Sequence, residues 1–264
     1  MKKWNYRILL CIISGAVLLL SGCAKSQSRE ETAEASPSGE QVIPYPEERA
    51  AAALEAGASS FQNLLDAEES PYYVRRDYYD MESSGTLHLI PKFRTYQQTT
   101  EYSCGCAAAL MVLDHYGIDQ YEELEIAELA GTDTSKGTSV EGLQSFFESI
   151  GFETDAHAGE DYRFQDIEEA EQYFIDSIDA GIPVMLDWLD WRGHWVVLIG
   201  IDTMNDLSPY DDVLIFADSY DVTDHDQDGY DIYPLGRFFD MWREGVCAQK
   251  TVPYEQPFVK AWKE

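Results

Sequence analysis

The stretch Gln98-Thr-Thr-Glu-Tyr-Ser-Cys104-Gly-Cys-Ala-Ala-Ala-Leu-Met-Val-Leu-Asp-His-Tyr-Gly117 puts a cysteine at the start of an apolar helix, with a glutamine shortly upstream. A helix start presents backbone N–H groups without intrahelical acceptors and the positive end of the macrodipole, and both favour a thiolate. Ser103 stands where an N-cap is expected, and Ala107 to Leu113 supply the apolar side chains that anchor such a helix in a core. Two readings compete for Cys104: an activated nucleophile, or one more small buried hydrophobe. A base and a carboxylate downstream decide for the first.

The chain has five histidines. His115 lies on the same helix, about 16 Å from Cys104 at 1.5 Å rise per residue, too far to take a proton from sulfur. His88 sits on a candidate strand, His157 in a polar connection and His225 among aspartates in a loop; none has a context that demands it. His194 follows Gly193 at the mouth of the apolar strand Trp195-Val-Val-Leu-Ile-Gly-Ile201, where a sheet can hold an imidazole over a helix start. Asp218 ends the next strand, Val213-Leu-Ile-Phe-Ala-Asp218, and is placed to orient His194 through its second ring nitrogen.

Gln98, Cys104-Gly105, Tyr116-Gly117 closing the helix, Gly193-His194 opening a valine-rich strand and Asp218 ending the next resemble the C39 family of papain-like cysteine peptidases. The resemblance runs from about Thr86 to the C-terminus, with a core over about 86–250, and Gln98 to Gly117 is its most specific part. It implies a nucleophilic Cys104, His194 as base and then acid, Asp218 as orienter of His194, and Gln98 as an oxyanion-hole side chain. Those roles are chemically coherent, since a tetrahedral oxyanion needs aimed donors and an amide NH₂ with a backbone N–H at a helix start are such donors. This chemistry calls for no cofactor. Two positions depart from the family pattern: Ser103 where aspartate often precedes the nucleophile, and Ser219 where proline often follows the aspartate. The better-known members are fused to peptide-exporting transporters; this chain carries no ATP-binding motif and is more similar to stand-alone envelope domains of the family.

The N-terminus bears on location. Lys2, Lys3 and Arg7 form a basic start, Ile8 to Leu20 an apolar run, and Leu20-Ser-Gly-Cys23 a small-residue site ending in cysteine. This looks like a bacterial lipoprotein signal, with an apolar run shorter than the roughly 20 residues of a spanning helix. The resemblance implies removal of residues 1–22, acylation of Cys23, and a protein held at the extracytoplasmic face of the cell membrane. Residues 23–45, rich in Ser, Glu, Ala and Pro, read as a flexible tether. Residues 46–264 then suit one peptidase domain with a real core, expected to act as a monomer. The formal charge of −31 argues against nucleic acid as a partner. The partners expected are a peptide or protein substrate and, through the lipid, the membrane.

The apolar patterning predicts helices first and strands later, an α+β domain with N-terminal helices packed on an antiparallel sheet. Helices are expected over 47–67, 104–117, 121–130, 140–150, 166–180 and 237–243, with Thr138-Ser139 as caps of the fourth. Strands are expected over 86–90, 181–187, 195–201 and 212–217, with a closing strand from Val246 onward.

Three features stay open at this level. Asp224-His-Asp226-Gln-Asp228-Gly229 copies the first half of a calcium loop, but Leu235 stands where the twelfth-position glutamate belongs, so a hydrogen-bonded acidic turn competes with a metal site. Trp188, Trp191 and Trp195 fit either an aromatic cleft wall or the core. Cys106 and Cys247 are free to form a disulfide in an oxidising compartment. Two other functions share the pattern. A transglutaminase-like acyl transferase also uses Cys, His and Asp in this order, and a silent binding lipoprotein would keep the fold without chemistry. The Gln98-to-Cys104 spacing favours the peptidase over the first, and the full set of four polar residues favours it over the second.

Overall fold

Fifteen short elements set the frame. The computed structural model describes residues 76–190, 193–204, 208–221, 227–244 and 254–263, with the backbone of Val42–Ile43. In chain order these give β1 (Val42–Ile43), β2 (Leu87–Leu89), β3 (Thr95–Tyr96), α1 (Cys104–His115), α2 (Glu123–Leu129), α3 (Val140–Ser149) and β4 (Glu153–Gly159). There follow α4 (Ile167–Asp179), β5 (Val184–Trp188), β6 (His194–Asp202), β7 (Val213–Asp218), β8 (Tyr230–Pro234), α5 (Leu235–Met241), β9 (Arg243–Glu244) and β10 (Tyr254–Trp262). The main sheet is antiparallel in the order β4-β10-β5-β6-β7-β8, with β2 beside the far end of β6 and β9 beside β10. The fold is α+β, with the helices packed on this sheet.

Local chemistry explains most of the boundaries. Ser139 caps α3 by accepting from Gly142 N–H (3.1 Å), and Asp166 caps α4 by accepting from Glu169 N–H (2.9 Å). The strands β5, β6 and β7 are buried almost end to end, as their unbroken apolar runs require of central strands. Helices α1 and α4 both pack on β6, while α3 packs on β4 and β10. Trp188 belongs to the core, packed against Phe216, Tyr233 and Phe238. No helix among the described residues is long and apolar enough to cross a membrane.

Several expectations are corrected. His157 is not in a connection: it lies in the half-buried strand β4, whose polar run Glu-Thr-Asp-Ala-His-Ala-Gly hides a strand because it forms the sheet edge. The last helix starts at Leu235 instead of 237, because Pro234 ends β8 with a φ of −63° suited to helix entry, and Arg243 passes into β9. Ser103 does not cap α1 with its side chain. The proposed helix over 47–67 lies outside the described residues, as do Cys23, Trp191, Asp224, His225, Asp226 and Cys247.

Candidate active site

The catalytic candidates meet where the start of α1 faces the sheet. Cys104 is the first residue of α1, His194 the first of β6 and Asp218 the last of β7. Val196 pairs with Asp218, and alternate strand residues share a face, so His194 and Asp218 stand on the same side of the sheet. Their side chains bond, His194 Nε2 to Asp218 Oδ1 at 2.6 Å, and both are buried. Asp218 Oδ1 also accepts from Tyr220 N–H at 2.8 Å, and the Tyr220 ring lies edge-on to the imidazole. With Nε2 engaged, Nδ1 is the nitrogen left for the thiol, and Cys104 adds to the electrostatic hold on the imidazole. Gly193, just before the histidine, has φ 126°, a backbone region that L side chains rarely enter; this accounts for glycine at the mouth of β6.

Electrostatics in this pair run in opposite directions. Burial alone would push the His194 imidazole down, but the charge and hydrogen bond of Asp218, with a smaller contribution from Cys104, outweigh it and hold His194 well above its ordinary value. Burial likewise opposes ionisation of Asp218, and His194 together with the backbone N–H groups of Tyr220 and Asp221 brings its carboxyl below the usual range. The pair is therefore held as imidazolium and carboxylate.

Gln98 is buried on the loop ahead of α1, tied to the residue next to Asp218. Its N–H donates to the Ser219 carbonyl (3.0 Å), and Ser219 Oγ donates to Gln98 Oε1 (2.8 Å). The Thr100 carbonyl, which can only accept, identifies the NH₂ end of the amide. Nε2 gives one hydrogen to the Thr100 carbonyl (2.7 Å), which leaves the second N–H of the amide for another acceptor.

The other described histidines have structural partners: His88 Nδ1 on Asp179 (2.7 Å), His115 Nε2 on the Gly181 carbonyl (2.9 Å) and His157 Nε2 on the Asp161 carbonyl (2.9 Å). Cys106 is a free thiol, fully buried, with Sγ 3.3 Å from Thr132 Oγ1 and 3.5 Å from Thr138 Oγ1. Burial pushes that thiol up to about 11, the wrong direction for a nucleophile. Asp228, from the half calcium loop, accepts from Tyr230 N–H (2.9 Å), and Asp221 accepts from Gly229 N–H (2.6 Å). No metal-holding cluster of His, Cys, Asp and Glu occurs among the described residues.

An open cleft of about 130 Å³ runs past Cys104, walled by Trp195, Thr138, Gly193, Glu101 and Asp187. Trp195 Nε1 donates to the Thr138 carbonyl (2.9 Å) and closes one side of it. A Cβ on Gly105 would stand 3.0 Å from Thr138 Cβ and 3.1 Å from Trp195 Cδ1, so a larger residue would need the wall to give by a few tenths of an ångström. Of the tryptophans read as either cleft wall or core, Trp195 stands in the wall, and the residue that sequence reasoning did not single out is Glu123. Glu123 is fully buried and accepts from Thr99 N–H and Ser103 Oγ, yet it sits in Tyr-Glu-Glu-Leu-Glu, which reads as a solvated helix face. Only burial distinguishes it from its neighbours.

This geometry agrees with comparison to known proteins. Residues 90–249 match the profile of the Peptidase_C39 like family, more than half of the chain. Over 71 residues the chain is 39% identical to the lactococcin-G-processing and transport ATP-binding protein LagD of Lactococcus lactis subsp. lactis, a match covering 27% of the chain and 10% of that relative. The chain thus spans a small part of the curated relative it matches. Among solved structures, the peptidase domain of Streptococcus ComA, a bi-functional ABC transporter involved in a quorum-sensing pathway, is matched with a TM-score of 0.41 at 18% identity, over 64% of the chain and 96% of that domain. The chain belongs to the Peptidase_C39 like family of cysteine peptidases.

Proposed function

We propose that the protein is a lipid-anchored thiol hydrolase that cleaves peptide bonds at the extracytoplasmic face of a bacterial membrane, through Cys104, His194, Asp218 and Gln98. The observation that carries the chemistry is a thiol at a helix start beside a buried imidazole whose far nitrogen is pinned by a carboxylate at 2.6 Å.

Each residue has a step. Cys104, its proton held by His194, attacks the amide carbonyl carbon as the thiolate, forming an S–C bond while the carbonyl π electrons move to oxygen. The second amide N–H of Gln98 and the Cys104 backbone N–H hold that oxyanion. On collapse the C–N bond breaks, and His194 gives its proton to the leaving amine. Water then attacks the thioester with His194 accepting its proton, and collapse breaks the C–S bond, releasing the acid and leaving the thiolate beside the imidazolium. Asp218 keeps the imidazole oriented throughout.

The test of the hydrolytic reading uses Gln98, whose work is confined to the transition state. Gln98→Ala should lower kcat on a cleaved peptide by about 100- to 1,000-fold while KM changes little. A neutral Gln98→Ala on a confirmed amide substrate rejects the assignment. If a primary amine at millimolar level diverts the acyl group faster than water does, the enzyme is instead an acyl transferase.

The location follows from the basic start, the apolar run and Cys23, with residues 1–22 as signal, 23–45 as tether and 46–264 as a monomeric catalytic domain. Wild-type protein should partition with membranes and Cys23→Ala should be released or left unprocessed. A soluble wild-type protein whose mature terminus lies away from Cys23 overturns the anchor.

A further inference from the structure

Glu123 is a fully buried carboxylate at the first position of α2 to which the mechanism above gives no role. Such a group is kept in a protein only where donors replace its lost water. Here the donors are informative. Thr99 N–H donates to both carboxylate oxygens, at 2.9 and 3.2 Å, and Ser103 Oγ donates to Oε1. Thr99 follows Gln98 and Ser103 precedes Cys104, so one carboxylate holds both ends of the loop that joins the two oxyanion donors.

The conformation of Ser103 gives this bond its consequence. An N-cap residue is ordinarily extended, its side-chain oxygen accepting from the first turn. Ser103 instead has φ −102° and ψ 15°, in the sparsely occupied bridge region, and makes no capping bond. Its hydroxyl accepts from Thr100 Oγ1 (2.6 Å) and is handed on to Glu123. The ψ angle of Ser103 sets the direction of the Cys104 N–H. Hydrogen bonding within α1 starts only at Cys106, whose N–H reaches the Ser103 carbonyl at 2.9 Å, so the Cys104 N–H lies ahead of the helical ladder.

We propose that Glu123 is the positioning residue of the oxyanion site: by binding Thr99 beside Gln98 and Ser103 beside Cys104, its carboxylate sets the aim and spacing of the two donors. The inference rests on the thiol-hydrolase reading. It also gives Ser103 a reason to be there, since aspartate at that position would bring a second carboxylate against Glu123 in a buried space, and two such charges repel.

The test compares two reactions of the same sulfur in the full chain. Acylation of Cys104 by p-nitrophenyl acetate forms an S–C bond and expels nitrophenolate through a tetrahedral oxyanion. Alkylation by iodoacetamide forms an S–C bond and expels iodide with no oxyanion. Glu123→Gln should slow acylation on the order of 100-fold, the cost of displacing aligned groups by a fraction of their contact distance, and leave alkylation unchanged. Ser103→Ala, which keeps the carboxylate and its bond to Thr99, should slow acylation less, again with alkylation unchanged. It carries the test alone if Glu123→Gln does not fold. Equal loss in both reactions would mean that Glu123 acts on the thiol or the fold, and unchanged acylation would mean that it positions nothing; either overturns the proposal. Gln98→Ala is measured alongside. If it acylates at the wild-type rate, the oxyanion reading itself is at fault, and if wild-type Cys104 reacts with neither reagent, the thiol-hydrolase reading fails and this inference with it.

Discussion

Cys104→Ala should remove turnover by at least about 10⁴-fold, because it deletes the only group that makes the covalent bond and leaves the oxyanion donors and binding contacts to act alone. Cys106→Ala should keep most of the activity. The two thiols are two residues apart on one helix, so the comparison isolates environment from position in the chain. Cys104 opens onto the cleft and lies beside His194. Cys106 is sealed in the core between two threonines whose hydroxyls already bond each other at 2.8 Å, and burial raises its thiol to about 11. Replacing it leaves those hydroxyls partnered, so the cost is a small loss of packing. Mass spectrometry after iodoacetamide treatment of the folded protein should find the label on Cys104 with Cys106 untouched. If Cys106 is labelled first, or if Cys106→Ala is inactive while Cys104→Ala is not, the nucleophile has been misassigned.

The parts of this site that were legible in sequence are those fixed by local chemistry. A cysteine before an apolar helical run, a histidine before an apolar strand and an aspartate ending the next are each recognisable from a few neighbours, and antiparallel pairing of β6 with β7 then brings the last two together. Helix α3 was legible through Ser139, whose capping bond forms as its residue type suggests, and α4 through its helical apolar spacing, with Asp166 found to cap it. What could not be read depends on contacts remote in sequence. Ser103 has the residue type and place of a cap, but a glutamate 20 residues on takes its hydroxyl. Ser219 looked like a loss of family pattern and turns out to fix the orientation of an amide 121 residues away. Strand β4 escaped because an edge strand with half-buried residues needs no apolar run, and β10, the last strand in sequence, sits between β4 and β5, an order that no local pattern encodes.

Asp218 allows charge and geometry to be separated. Asp218→Ala leaves the buried His194 Nε2 without its acceptor, and should lower kcat/KM on the order of 10³- to 10⁴-fold and stability by about 3–5 kcal/mol. Asp218→Asn is the more informative variant, because its amide oxygen still accepts from Nε2 and from Tyr220 N–H while the charge is gone. The thiolate–imidazolium state is lost when His194 gives up its proton. Asp218 is the main cause that holds that proton to high pH, and burial works against it. The alkaline limb of the pH–rate profile should therefore move to lower pH in Asp218→Asn. Stability has its own signature. His194 is raised in the folded state, so its contribution is full below about pH 6.5 and fades as pH rises through the folded value. Asp218 is lowered, so its contribution is full above about pH 3.9 and fades as pH falls. The gap in unfolding free energy between wild type and Asp218→Asn, measured by urea titration across pH, should be widest between about pH 4 and 6.5 and narrow on both sides. A gap that is flat with pH, together with an alkaline limb that does not move, would mean that Asp218 contributes an acceptor and no charge, and that His194 is held neutral in the resting enzyme.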